Sequence, residues 1–142
     1  MQTHTISTTG RSETSPWIGL ITKVFLGMNL AVYLAFTIAF FLFPVPLAGM
    51  IGLSVHSSAA LADLRAMYGG MCFGVGLLIF YGLNKEDFKI PAILLSVASA
   101  GGLFLARLYT LLLDGPGNEY IYLSMITEIG SVCIGLWLLK KR

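Results

Sequence analysis

VFLGMNLAVYLAFTIAFFLF, the stretch from Val24 to Phe43, runs for 20 residues without a charged side chain. As a helix it spans ~30 Å, the thickness of the hydrocarbon layer of a bilayer. A helix also satisfies its own backbone hydrogen bonds, which lipid cannot do for it. The stretch therefore reads as a membrane crossing. Trp17 and Lys23 stand before it at interfacial positions, and Pro44 and Pro46 end it.

Three more such stretches follow. A connector of moderate polarity reaches about Ser58, with Ser57 or Ser58 suited to cap a helix that begins near Leu61 and continues to Leu83. The turn NKEDFK (Asn84 to Lys89) leads into a third stretch, Ile90 to Leu113. The breaker DGPGN (Asp114 to Asn118) separates it from a fourth, Ile121 to Leu139, closed by Lys140, Lys141 and Arg142. The fold predicted is all-α, a polytopic bundle of four transmembrane helices at about 18–43, 61–83, 90–113 and 121–139. Residues 17–142 form this domain, and residues 1–16, rich in Ser and Thr, read as a disordered cytoplasmic tail. The apolar run after that tail is too long for the core of a cleavable signal.

Composition agrees. Apolar residues make up 56% of the chain and charged residues 11%. A soluble domain holds about 45–50% and about 25%. A net charge of +2 lacks the dense basic surface that nucleic acid requires. Cys72 and Cys133 lie inside apolar stretches without CxxC spacing and read as packing residues. Walker, HExxH, GxSxG, haem and zinc-ligand patterns are all absent from the sequence, so no cofactor and no metal is expected.

Seven of the nine basic residues (Arg11, Lys23, Lys85, Lys89, Lys140, Lys141 and Arg142) flank one end of the crossings. The other two connections contain none. The positive-inside rule places both termini in the cytoplasm, and the membrane expected is the cytoplasmic (inner) one. Arg65 and Arg107 remain, inside or at the edge of crossings. At 1.5 Å per residue, Arg65 lies ~6 Å, Arg107 ~9 Å and Glu128 ~10 Å below the outer boundary. Asp63 and Asp114 lie just above them. Charges this deep are costly unless paired. Equal depth predicts one polar cluster in the outer half.

Stripes of small or polar residues support a polar interior. Ser124, Glu128, Ser131 and Gly135 form one. Asn29, Tyr33 and Thr37 form a second, and Ala98, Gly102 and Ala106 a third. Gly70 and Gly74 have GxxxG spacing. Each charged residue also has a plainer reading. Asp63 suits a helix dipole, both arginines can snorkel to headgroups, Asp114 can shape a turn and Tyr68 can anchor at the interface. A structural Arg–Glu pair is the plain reading of Glu128.

ADLRAMYGGMCFGVG (Ala62 to Gly76), ARLYTLLLDGPG (Ala106 to Gly117) and Glu128 together resemble a family of small bacterial membrane proteins described as domain of unknown function 4345. The likeness runs from about Lys23 to Lys140. It implies four helices and motif positions at Arg65, Tyr68, Gly69, Gly70, Arg107, Asp114, Gly115 and Glu128. It implies no reaction.

The function expected is a site that binds, or acts on, a lipid-like or anionic amphiphile. Its candidate residues are Asp63, Arg65, Tyr68, Arg107, Asp114 and Glu128, with Gly69, Gly70, Gly74 and Gly102 for helix packing. Whether the chain is an enzyme stays open. A non-enzymatic accessory or scaffold subunit is the alternative. A small dimeric transporter is another, although small multidrug transporters carry their Glu in the first crossing, where this chain has no acid. Its partners would be the bilayer, the amphiphile and either further copies or another membrane protein. In a background lacking Cys72 and Cys133, Asp87→Cys and Lys141→Cys should be shielded from an impermeant reagent outside intact cells. Val55→Cys and Gly117→Cys should react. Labelling at 87 but not at 117 would invert the topology.

Overall fold

The computed structural model describes residues 15–141, and among them all regular structure is helical. Residues 1–14, most of the predicted tail, lie outside the described residues. Helix α1 runs Pro16–Leu42, with proline in the first turn, where no backbone N–H is needed. It stops at Phe43 (φ −129°, ψ 48°), since Pro44 bars the helical conformation from the residue before it. A short helix α2, Pro44–Met50, follows where only a connector was predicted. Its prolines break α1 and then serve as the first turn of α2.

Ser57 caps α3, Ser58–Leu64, its Oγ accepting from the Ala60 N–H at 3.1 Å. The second crossing thus starts before Leu61. It passes through one π-helical turn, Arg65–Gly70, into α4, Met71–Asn84. The wide turn is marked by the Met71 N–H donating to the Ala66 carbonyl, five residues back. Lys85 is extended, and a 3-10 turn, Glu86–Phe88, leads to α5, Lys89–Leu113. Gly115, at φ +101°, reverses the chain as no side-chain-bearing residue does readily. Helix α6, Glu119–Lys141, completes four apolar crossings. The chain is a four-helix bundle and a multi-pass membrane protein.

Two ends can be distinguished. Lys23, Lys85, Lys140 and Lys141 mark a basic end; the α2–α3 connection and the 114–118 turn mark the far end. The apolar core of Phe25, Leu26, Ile79, Ala92, Ile93 and Leu138 lies toward the basic end. Helix α5 packs most extensively on α6, α1 on α4 and α4 on α5, while α6 touches α1 more lightly.

Lipid is as apolar as leucine, so the helices gain from close contact rather than from escaping water. A Cβ on Gly82 would collide with Ala92 of α5, and one on Gly135 with Val97 of α5 and with Phe25 of α1. Gly69 lies against the Phe41 ring, which a Cβ would meet at 2.9 Å. The glycines picked out by spacing fare differently. Gly70 would meet only the Arg65 carbonyl, at 3.8 Å, and Gly74 and Gly102 have nothing within 4 Å. Ala98, Gly102 and Ala106 do not form a buried face: Gly102 is exposed and no neighbouring helix closes on it. The GxxxG pair and Gly102 therefore do not seat helices of this chain. Spacing shows that a face is small, not that a neighbour occupies it.

Gly82→Ala and Gly135→Ala should each lower stability by ~1–3 kcal/mol, the range for overpacking a filled site. Gly102→Ala should leave thermal unfolding in detergent micelles unchanged or raise its midpoint. Equal loss at all three positions would refute this packing.

Candidate buried ion-pair site

Most polar side chains inside the crossings are satisfied by their own helix. Thr22 donates to Ile18 O (2.8 Å), Thr37 to Tyr33 O (2.8 Å), Ser96 to Ala92 O (2.9 Å) and Asn29 Nδ2 to Phe25 O (2.9 Å). Each returns a hydrogen bond to the carbonyl one turn back, which lets a hydroxyl or amide lie in hydrocarbon. Two bonds join helices across the interior. Tyr33 Oη of α1 donates to Ser99 Oγ of α5 at 2.7 Å, and Ser131 Oγ of α6 donates to Asn29 Oδ1 at 3.3 Å.

One turn beyond Ser131, toward the far end, stands Glu128. Its Oε1 accepts from Nη1 of Arg107 on α5, closing a salt bridge. Helix direction explains the match. Arg107 lies six residues before the end of α5, ~9 Å along the axis, and Glu128 nine residues after the start of α6, ~14 Å. Side chains lean toward the N-terminus of their helix. In antiparallel helices Arg107 therefore leans toward the basic end and Glu128 toward the far end, and the two converge.

The pair is incomplete. The Glu128 side chain is 10% exposed, and among the described residues its Oε2 is the buried side-chain polar atom left without a hydrogen-bond partner. The Arg107 side chain keeps 22% of its surface exposed. A guanidinium has five N–H donors, and Nη1 serves the carboxylate. The geometry therefore offers one orphan acceptor beside several open donors. Buried polar atoms are rarely left unbonded, and such an atom calls for a specific explanation.

The other candidates lie apart. Asp63, Arg65 and Asp114 are exposed, and no salt bridge to any of them is present among the described residues. Arg65 opens the π-helical turn. One residue inserted into a helix rotates the turn before it by ~100° relative to the turn after it. Tyr68 is half-exposed and stacks on Phe40 of α1, ring centroids 4.7 Å apart and planes 18° off parallel. The structure thus joins Arg107 to Glu128 but does not bring the remaining candidates to the pair. Ser99, the partner of Tyr33, was missed. Its only sequence signal is a position on α5 off the small-residue stripe. Among the described residues no group of three His, Cys, Asp or Glu could hold a metal ion, and Cys72 and Cys133 are free thiols.

A family model described as domain of unknown function 4345 matches residues 21–139. That span takes in all four crossings and both members of the ion pair. No curated protein and no solved structure matches the chain.

The contact has an energetic signature. Arg107→Met, Glu128→Met and the double variant should form a non-additive cycle in reversible unfolding. The double variant should be more stable than the summed losses predict, by ~0.5–3 kcal/mol. Additive losses would mean that the two side chains do not interact.

Proposed function

We propose a function for this chain, which belongs to the domain of unknown function 4345 family, from its half-satisfied ion pair: it binds the polar head of a lipid-like amphiphile at Arg107 and Glu128. The observation that carries this reading is the orphan Oε2 beside a partly exposed guanidinium. A pair built only to hold α5 and α6 together would gain by closing both carboxylate oxygens, since a half-satisfied buried polar group costs more than an apolar one. A ligand head that completes the bonding turns that cost into affinity. The forked arginine suits a phosphate or carboxylate group, and the apolar outer surfaces of α5 and α6 suit an acyl tail.

The same reading places the chain in the cytoplasmic membrane, its basic end and both termini inside and the pair in the outer half. The asymmetry of the basic residues supports that orientation. One observation favours a scaffold instead: the pair bridges the two most extensively packed helices.

Native mass spectrometry of gently extracted protein separates the two readings. The native chain should retain an amphiphile. Arg107→Leu should lose it, while Lys140→Leu, which also removes one positive charge but at the basic end, should keep it. Arg107→Lys, which keeps the charge but not the fork, should fold and still lose about tenfold in occupancy. Unchanged occupancy in both Arg107 variants would support the scaffold.

A further inference from the structure

We infer that the head taken by this site carries a hydrogen-bond donor, a primary ammonium or a hydroxyl, beside its phosphate or carboxylate. The inference rests on the binding reading above and specifies its ligand. Arg107 supplies donors only. Paired with the guanidinium through Oε1, Glu128 is taken in this inference as a carboxylate, and a carboxylate accepts only. The orphan Oε2 therefore accepts an N–H or O–H, and a ligand that brings one completes its bonding.

A head that is acceptor throughout would complete Arg107 but press its lone pairs against Oε2. A quaternary ammonium brings charge but no N–H. Arg107 and Glu128 together are neutral, so an ammonium–phosphate zwitterion, itself neutral, completes the bonding without adding net charge to a low-dielectric site. Donor and acceptor must lie within one headgroup, because Oε2 and the open guanidinium nitrogens belong to side chains already in contact. A membrane lipid and a soluble metabolite can both carry this group.

The test uses the full chain in detergent micelles and native mass spectrometry with three probes. Phosphatidylethanolamine has the phosphate and N–H donors. Phosphatidylcholine, with matched acyl chains, has the phosphate without N–H. Glycerophosphoethanolamine has the head without tails. Phosphatidylethanolamine should bind about tenfold better than phosphatidylcholine, the ratio expected from one charge-assisted hydrogen bond. Binding should persist through mono- and dimethylation of the nitrogen and fall at the third methyl, when the last N–H is lost. This series needs no variant protein. Glu128→Gln, if it folds, should erase most of the preference.

Competition by glycerophosphoethanolamine would support the donor assignment with a soluble ligand; its failure to compete would support a lipid. Equal binding of the two lipids, specific and lost in Arg107→Lys, would overturn the donor inference while leaving the binding reading intact. No saturable binding of any probe would overturn both. A preference that survives in folded Glu128→Gln would overturn the role of Oε2.

Discussion

A carboxylate in hydrocarbon is tolerable only with a cation against it, and Glu128 meets that condition through a single helix neighbour. The Arg107 contact fixes the relative rotation of α5 and α6, since turning either helix would expose a charge to lipid. Two weaker links obey the same rule. The Ser131–Asn29 bond sets α6 against α1, and the Tyr33–Ser99 bond sets α1 against α5. Polar contacts of this kind contribute modestly in lipid, but they dictate which faces meet. The close approaches at Gly82 and Gly135 then bring the backbones together near the basic end.

The interior consequently changes character along the bundle. Toward the basic end it is mostly apolar and closely packed, with Leu26, Ile79, Ile93 and Leu138 fully buried and the hydroxyls of Thr22 and Ser96 bonded back to their own helices. Toward the far end it becomes amide and hydroxyl, and then charge. The incomplete bonding of Glu128 lies at the top of this gradient. The candidate site thus arises where helix packing hands over from shape to polarity.

Much of this was legible in sequence, for identifiable reasons. Apolar stretches of about twenty residues with at most two charges favour one structure in lipid, so the four crossings derive from composition and length. The Arg107–Glu128 contact was legible from similar depth, because antiparallel neighbours joined by a short turn bring residues comparably far from that turn together, and the opposite lean of the two side chains takes up the remaining offset. The features that escaped have a physical cause as well. The π-helical turn at Arg65–Gly70 shifts the helical phase, and no period in LRAMYGG announces it. Arg65 begins that turn, which packs on α1 rather than on the α5 and α6 that carry the pair. Small-residue spacing marked Gly74 and Gly102, which have no neighbour, because periodicity identifies a face but not its occupant. The contacts at Gly82 and Gly135 depend on which helices adjoin, which one chain's pattern does not encode. Helix α2 was hidden because prolines that end one helix also begin the next.

Glu128 should be a carboxylate bonded through one oxygen to Arg107, its other oxygen buried without a partner. Infrared spectroscopy of the carboxyl region, comparing the native chain with Glu128→Gln in the same lipid, tests it most directly. The difference spectrum should lose carboxylate stretching bands alone, and adding a headgroup with an N–H donor should shift those bands. Loss of a protonated carboxyl C=O band at neutral pH would contradict it.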